Sequence, residues 1–304
     1  MIREGVATRP LPGALLGLLS LTLACVEAPP EASLRTSPDS LDAEQADVAP
    51  ARYLTHFLFA GLDGSAFYGT FAQQTSAQSL VREYDAWRAD DSGWRELASI
   101  RDSLPTPRAA WRILPGPGLD VRVGGVREVV GLGFEGPDGP VELSAGEEVA
   151  VWTGPTGQRE SVGLAALEAG GTPVGGLLFF RRSARALQFP AAATGSRGYL
   201  LADSLGNGLL FEVEEDTGAA VARAWLHGSV DAWDDIVFVA DSTVSGAVAP
   251  RWRFEIPLAA LSGTIRAIAS PAARPVPAFR IECDLVADGD TFRFTGVAAR
   301  LELP

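Results

Sequence analysis

The chain has 304 residues, a formal net charge of −13 and no lysine, all 25 basic side chains being arginine. That excludes Schiff-base chemistry and a phosphate-loop lysine. An acidic chain without a basic run is also a poor partner for nucleic acid, while its length and apolar content suffice for about two domains with a core each.

Arg3 and Arg9 precede an apolar run, Leu11 to Leu23, that is too short to span a bilayer as a stable helix. It ends in Leu21-Thr-Leu-Ala-Cys25. A positive segment, a short apolar core and a small residue before a cut describe a secretory signal peptide. With cysteine directly after the cut, the segment resembles the lipobox of bacterial lipoproteins, with Thr22 where leucine is commonest. The resemblance implies a signal peptide over 1–24, a lipid on Cys25 and attachment to a membrane through it. Val26 is not the aspartate that retains lipoproteins at the inner membrane, so the expected address is the cell envelope, at the outer membrane or cell surface. A plain signal peptide with a coincidental cysteine is the alternative. If Cys25 carries lipid, Cys283 has no partner for a disulfide, and its strand-like surroundings, Phe279-Arg-Ile-Glu-Cys-Asp-Leu-Val, make it a buried small apolar residue.

Residues 25–52 form the expected tether: 26–52 are rich in Pro, Ala, Ser, Glu and Asp and contain no aromatic. Such a coil spans on the order of 30 Å. From Tyr53 short apolar runs alternate with Gly, Pro and Asp. Strands are expected at Tyr53 to Ala60 and Ala66 to Gln73 around Leu62-Asp-Gly-Ser, and a hairpin at Val129 to Ser144 through Gly-Pro-Asp-Gly. Val149 to Thr153 and Leu177 to Phe180 add strands, with a short helix at Ser161 to Glu168. In the second half, Tyr199 to Ala202 and Gly208 to Glu214 form a hairpin, followed by strands at 220–227, 236–240, 251–256, 264–269, 279–287 and 291–303. Many short strands at regular spacing indicate sandwiches or barrels. The expectation is an all-β chain with domains at 53–172 and 173–304, broken near Ala-Gly-Gly-Thr-Pro.

Three echoes suggest that one unit was duplicated. Phe57-Leu-Phe-Ala-Gly-Leu-Asp-Gly aligns with Tyr199-Leu-Leu-Ala-Asp-Ser-Leu-Gly, Asp85-Ala-Trp with Asp231-Ala-Trp, and Pro107-Arg-Ala-Ala-Trp-Arg with Pro250-Arg-Trp-Arg.

Chemistry-bearing residues are few. Gly131-Leu-Gly-Phe-Glu-Gly136 matches a dinucleotide fingerprint, but Pro-Asp-Gly-Pro follows it and cannot open the helix that would meet a pyrophosphate. With only His56 and His227, histidine metal sites lack ligands, and neither metal nor cofactor is expected. His227 near Asp231 and Asp235 could form a catalytic acid/base group; a surface histidine beside a polar turn is the bland alternative. Asp231, Asp234 and Asp235, with Asp90 and Asp91, could otherwise ligate calcium, or be turn residues. Of the seven tryptophans, Trp225, Trp233, Trp111 and Trp252 are candidates to line a ligand cavity, with core filling as the default. Arg108, Arg112, Arg251 and Arg253 should then point to the opposite face.

The aromatic strand with an Asp-Gly turn at Phe57 to Gly64, its echo at Gly198 to Asn207, and the closing strand Phe294-Thr-Gly-Val-Ala-Ala-Arg-Leu resemble the carotenoid 1,2-hydratase-like family, whose two-barrel plan is shared by some Diels–Alder cyclases. The resemblance covers 53–304 and implies two tandem lipocalin-like barrels or sandwiches. The family's Glu-Trp-Trp-Tyr opening is replaced by Thr55-His-Phe-Leu, and its Trp-x-Asp-x-x-Trp-type segment is not recognisable between Gly175 and Phe189, so no catalytic residue carries over. The expected function is binding of a hydrophobic small molecule in a barrel or between the domains, with cofactor-independent hydration, isomerisation or cyclisation as the candidate chemistry. A non-catalytic surface or interaction lipoprotein with a scaffold role is the alternative.

Overall fold

The computed structural model describes residues 50–302 apart from 108, 125–128, 155–156, 188–194, 227–228, 241–249, 269–271 and 273–275. Cys25, the segment expected to be a signal peptide, nearly all of the expected tether and His227 lie outside the described residues.

The first half forms β1 (Ala51–Gly61), β2 (Ala66–Thr75), β3 (Ser79–Asp90), β4 (Gly93–Pro105), β5 (Leu119–Val123), β6 (Val129–Gly136), β7 (Gly139–Thr153), β8 (Arg159–Ala169) and β9 (Thr172–Ala186). The second forms β10 (Ser196–Ala202), β11 (Gly208–Glu214), β12 (Ala220–Leu226), β13 (Ser229–Trp233) and β14 (Val237–Ala240). It continues through β15 (Arg251–Ile256), β16 (Leu261–Ile268), β17 (Ala278–Ala287) and β18 (Asp290–Leu301).

Among the described residues these make two nine-stranded sheets, ordered β4-β3-β2-β1-β9-β8-β7-β6-β5 and β13-β12-β11-β10-β18-β17-β16-β15-β14. The two orders are the same order nine strands apart. In each, the first strand pairs with the last, and an open seam lies between the fourth and fifth. The chain is therefore all-β, two tandem lipocalin-like near-barrels with one topology repeated.

Strand periodicity builds three large cores, beside a small cluster of Leu80, Ala110 and Leu114, because successive side chains leave a strand on opposite faces. Phe57 and Phe59 of β1 join Phe67, Phe71, Tyr84, Leu132, Phe134 and Leu167 inside the first barrel. Tyr199, Phe211, Trp252, Phe254, Ile265, Cys283 and Phe294 fill the second. The alternate residues of the same strands, Leu58 and Ala60 of β1 and Leu200 and Ala202 of β10, join Tyr68, Trp87, Phe179, Trp225 and Val297 in a third cluster between the barrels. Each fully buried aromatic or leucine contributes about 1.5–3 kcal/mol. Both barrels belong to one compact unit. Gly208 permits their close approach: a Cβ there would stand 2.1 Å from Leu177 Cδ1 of the first barrel.

Several expectations are corrected. Ser161 to Glu168 is not a helix but part of β8, held between β7 and β9. Its Ala and Leu residues favour helix weakly, and pairing on both sides overrides that preference. Gly170 and Gly171 make the turn between β8 and β9, not a domain boundary, and the first sheet runs on to Ala186. Ala51 and Arg52, placed in the expected tether over 25–52, pair in β1 instead. Of the three echoes, only Phe57/Tyr199 joins equivalent strands. Asp85-Ala-Trp lies on the third strand of its sheet and Asp231-Ala-Trp on the fourth; Trp111 lies in the β4–β5 connection and Trp252 on a strand. The Gly131–Gly136 stretch is a strand, with the left-handed turn at Gly139 (φ 115°) closing its hairpin.

Candidate functional site

A polar row crosses the outer face of the first sheet where it meets the second barrel. Register sets Thr70, His56, Arg181, Glu160 and Trp152 side by side on β2, β1, β9, β8 and β7. Arg181 and Glu160 are 2 % and 1 % exposed, and Arg181 Nε stands 2.8 Å from Glu160 Oε1. Trp152 Nε1 and Gln158 Nε2 donate to the same carboxylate, the latter at 2.9 Å. From the second barrel, Ser196 accepts from Arg181 at 2.8 Å, and Glu212 pairs with both Arg181 and Arg223. The Arg223 guanidinium lies 4.1 Å from the centre of the Trp152 ring. Two carboxylates thus face two arginines across the seam between barrels. Burial pushes the Arg181 guanidinium down from its ordinary pKa and Glu160 holds it up.

His56 donates through Nε2 to the Glu302 carbonyl at 3.2 Å, while Nδ1 is buried without a hydrogen-bond partner. Burial, and then the Arg181 charge, lower its pKa to about 3, so it is neutral near pH 7. Burial likewise raises the Tyr68 hydroxyl, with Glu302 and Asp85 adding to the rise and Thr70 opposing it.

Farther along the same interface a cleft of about 290 Å³ opens, lined by Val149, Leu164, Leu205, Asn207, Trp225 and Ser229. Glu160, Val162 and Leu164 alternate along β8, so the cleft lies roughly 13 Å from the ionic row, with fully buried Val162 between them. Its volume is at the lower end of small-molecule sites. Leu164 and Leu205 are exposed there. Trp225 is 4 % exposed and its indole Nε1 is buried without a hydrogen-bond partner.

The residues singled out from sequence disperse. Asp231 is exposed on β13 and Asp235 exposed just beyond it, at the seam of the second sheet; neither lines a described cavity wall. Trp225 lines the interdomain cleft, whereas Trp252 is core and partly buried Trp233 packs on that core. Trp111 sits at the mouth of the first barrel. Arg251 and Arg253 do point away from Trp252, but Arg112 lies over the Trp111 ring, 5.0 Å from its centre; Arg108 lies outside the described residues. Asp90 accepts from Ser92 and Arg88, and Asp91 from Arg280 at 3.2 Å. Among the described residues no group of three or more His, Cys, Asp or Glu is placed to hold a metal ion.

The fold defines a two-barrel lipocalin-like protein. Among solved structures it is similar to a protein provisionally named AttH from Nitrosomonas europaea, at TM-score 0.52 and 12% identity over 90% of this chain and 98% of that one. It is likewise similar to kievitone hydratase from Nectria haematococca, at TM-score 0.51 and 9% identity over 90% and 97%. No family model and no curated protein sequence matches the chain.

Proposed function

We propose that this is an exported, lipid-anchored protein that binds an apolar small molecule in the cleft between its two barrels. The observation that carries the binding reading is the cleft itself. It is an apolar concavity of about 290 Å³ at a domain interface, with one buried indole N–H lacking an acceptor. Leucine and valine side chains would cover the apolar body of a ligand, and Trp225 Nε1 would fix one acceptor on it. Cysteine 25 after Leu-Thr-Leu-Ala supports the anchor and the envelope address.

Addition of water to a carbon–carbon double bond is the reaction class we attach to this site, since one structural neighbour is a hydratase. Asp203, buried and held by the cleft-lining Asn207, is the carboxylate nearest the cleft. Glu160 and half-buried Glu212 lie farther along the interface, both engaged by arginines, and the protonated Tyr68 hydroxyl is a further donor there. Isomerisation and cyclisation would call on the same groups.

Native mass spectrometry of protein purified from its own source, followed by titration with a panel of apolar alcohols and terpenoids, tests binding. A retained lipophile, or saturable quenching of tryptophan fluorescence abolished by Leu164→Arg, is the expected result. No retained mass and no quenching would overturn the reading. The packing of both barrel interiors favours the second reading, a scaffold that presents its surface to other proteins; that reading gains if the panel fails.

A further inference from the structure

The geometry points to a separate oxyanion site at the mouth of the first barrel, taking a carboxylate or phosphate group between Arg112, Arg159 and Arg182. It lies on the inner side of the first sheet, Arg159 and Glu160 being neighbours on β8 and so directed to opposite faces. It is therefore independent of the interdomain cleft.

Register alone assembles most of it. Thr55, Arg182 and Arg159 are direct cross-strand partners on β1, β9 and β8. Like charges placed opposite one another on a sheet are unfavourable. A third guanidinium joins them from the β4–β5 connection, where Arg112 and Arg182 both lie against the Trp111 ring, at 5.0 and 4.6 Å from its centre. Arg182 also donates to the Trp111 carbonyl at 2.8 Å, which fixes the connection across the mouth. Arg159 pairs with Glu148 at 2.9 Å. Among the described residues no carboxylate pairs with Arg112, and its Nε is buried without a hydrogen-bond partner.

These groups surround a cavity of about 40 Å³ whose other walls include Ile113, Val129 and Phe180. That is room for a few water-sized centres, which suits a small oxyanion head and excludes a large ligand. A chain of net charge −13 concentrating three guanidiniums around one small cavity is the reverse of its overall balance. Planar guanidinium donors on a half-buried wall, as these three are, recognise oxyanions by paired hydrogen bonds. The Thr55 hydroxyl, on a residue 5 % exposed, offers one more donor.

The test is the melting temperature of the full chain titrated with inorganic phosphate and, separately, with acetate, each at constant ionic strength set by sodium chloride. A saturable rise with one or both oxyanions is expected, and the one that acts at lower concentration identifies the head group. Arg112→Gln should melt close to wild type without oxyanion and bind about tenfold or more weakly. The exposed control Arg293→Ala should keep the full response. A rise no larger than chloride gives, or an equal rise in Arg112→Gln, would overturn the proposal. If Arg112→Gln unfolds, Thr55→Val provides the second variant, and an unweakened response there would also count against the site.

Discussion

Between β4 and β5 the first barrel carries residues 106–118, a connection whose Trp111 lies against two arginines and closes one mouth. At the matching place the second barrel has only Asp234, Asp235 and Ile236 between β13 and β14, with both aspartates exposed. Strand order, pairing and core position are common to the two units, so the seam is where they differ in chemistry. One seam gathers positive charge over a small cavity, and the other displays negative charge to solvent. A repeated sheet order constrains residues inside each barrel, because a change there costs packing. The long first connection adds Ala110, Ile113 and Leu114 to buried clusters, whereas the short second one adds only partly buried Ile236. Connections vary in this way more freely than the strands they join.

The interface that both barrels share offers the largest effect. Arg181→Ala leaves Glu160 buried without its cation and half-buried Glu212 with Arg223 alone, at an expected cost of about 3–5 kcal/mol, measured by urea unfolding. The triple change Glu160→Gln, Arg181→Met, Glu212→Gln should recover most of that loss. A single Arg181→Ala that unfolds at the wild-type urea midpoint would mean that the row does not join the barrels energetically.

The seam comparison itself is sharpened by a pair of tryptophans. Trp252→Ala opens a hole among Tyr199, Phe254 and Ile265 in the second core, and should cost about 3–5 kcal/mol. Trp111→Ala removes a half-buried ring stacked by two guanidiniums, and should cost about 1 kcal/mol. Equal losses would place Trp111 in a true core and erase the distinction between plug and core.

His56 gives a pH signature to the shared interface. Its folded pKa of about 3 lies below the ordinary value of 6.5. Between those values the unfolded chain holds a proton that the folded chain lacks, so stability falls as pH drops from about 6.5 towards 3. The contribution is fully retained above the unfolded pKa. The expected slope approaches about 1.4 kcal/mol per pH unit, and His56→Phe should flatten it in urea midpoints measured across that window. An unchanged slope in the variant would assign the acid sensitivity elsewhere.

Much of the fold was readable because period-two alternation and turns combining aspartate with glycine report strands directly. The Asp63 and Asp203 turns illustrate this: each aspartate accepts from a backbone N–H two residues on, at 2.8 Å, in equivalent hairpins. β8 was misread because Val-Gly-Leu-Ala-Ala-Leu carries no strand signal without its neighbours. The interfacial row was harder still. Glu160, Arg181, Glu212 and Arg223 are unremarkable charged residues locally, and only register across strands far apart in sequence brings them together. Two faint signals existed: His56 interrupts an apolar strand, and Arg181 follows Leu-Leu-Phe-Phe. Each is a polar residue on a strand whose two faces both need covering. The repeated Asp-Ala-Trp phrase was a stronger visual signal and had no topological meaning.

That phrase yields the smallest expected effect. Asp231 and Asp235 stand in solvent at the second seam, away from both the interdomain cleft and the arginine cavity. Asp231→Asn and Asp235→Asn should each change stability by no more than about 0.5 kcal/mol, and leave ligand-induced tryptophan quenching as it is in the unmodified protein. If either abolished quenching, the second seam would have to close over a ligand that reaches it. The acidic edge would then have a functional counterpart to the positive mouth of the first barrel. If neither does, the two seams differ in kind: one holds a cavity, and the other is an exposed sheet edge whose charges discourage a further strand from pairing with it.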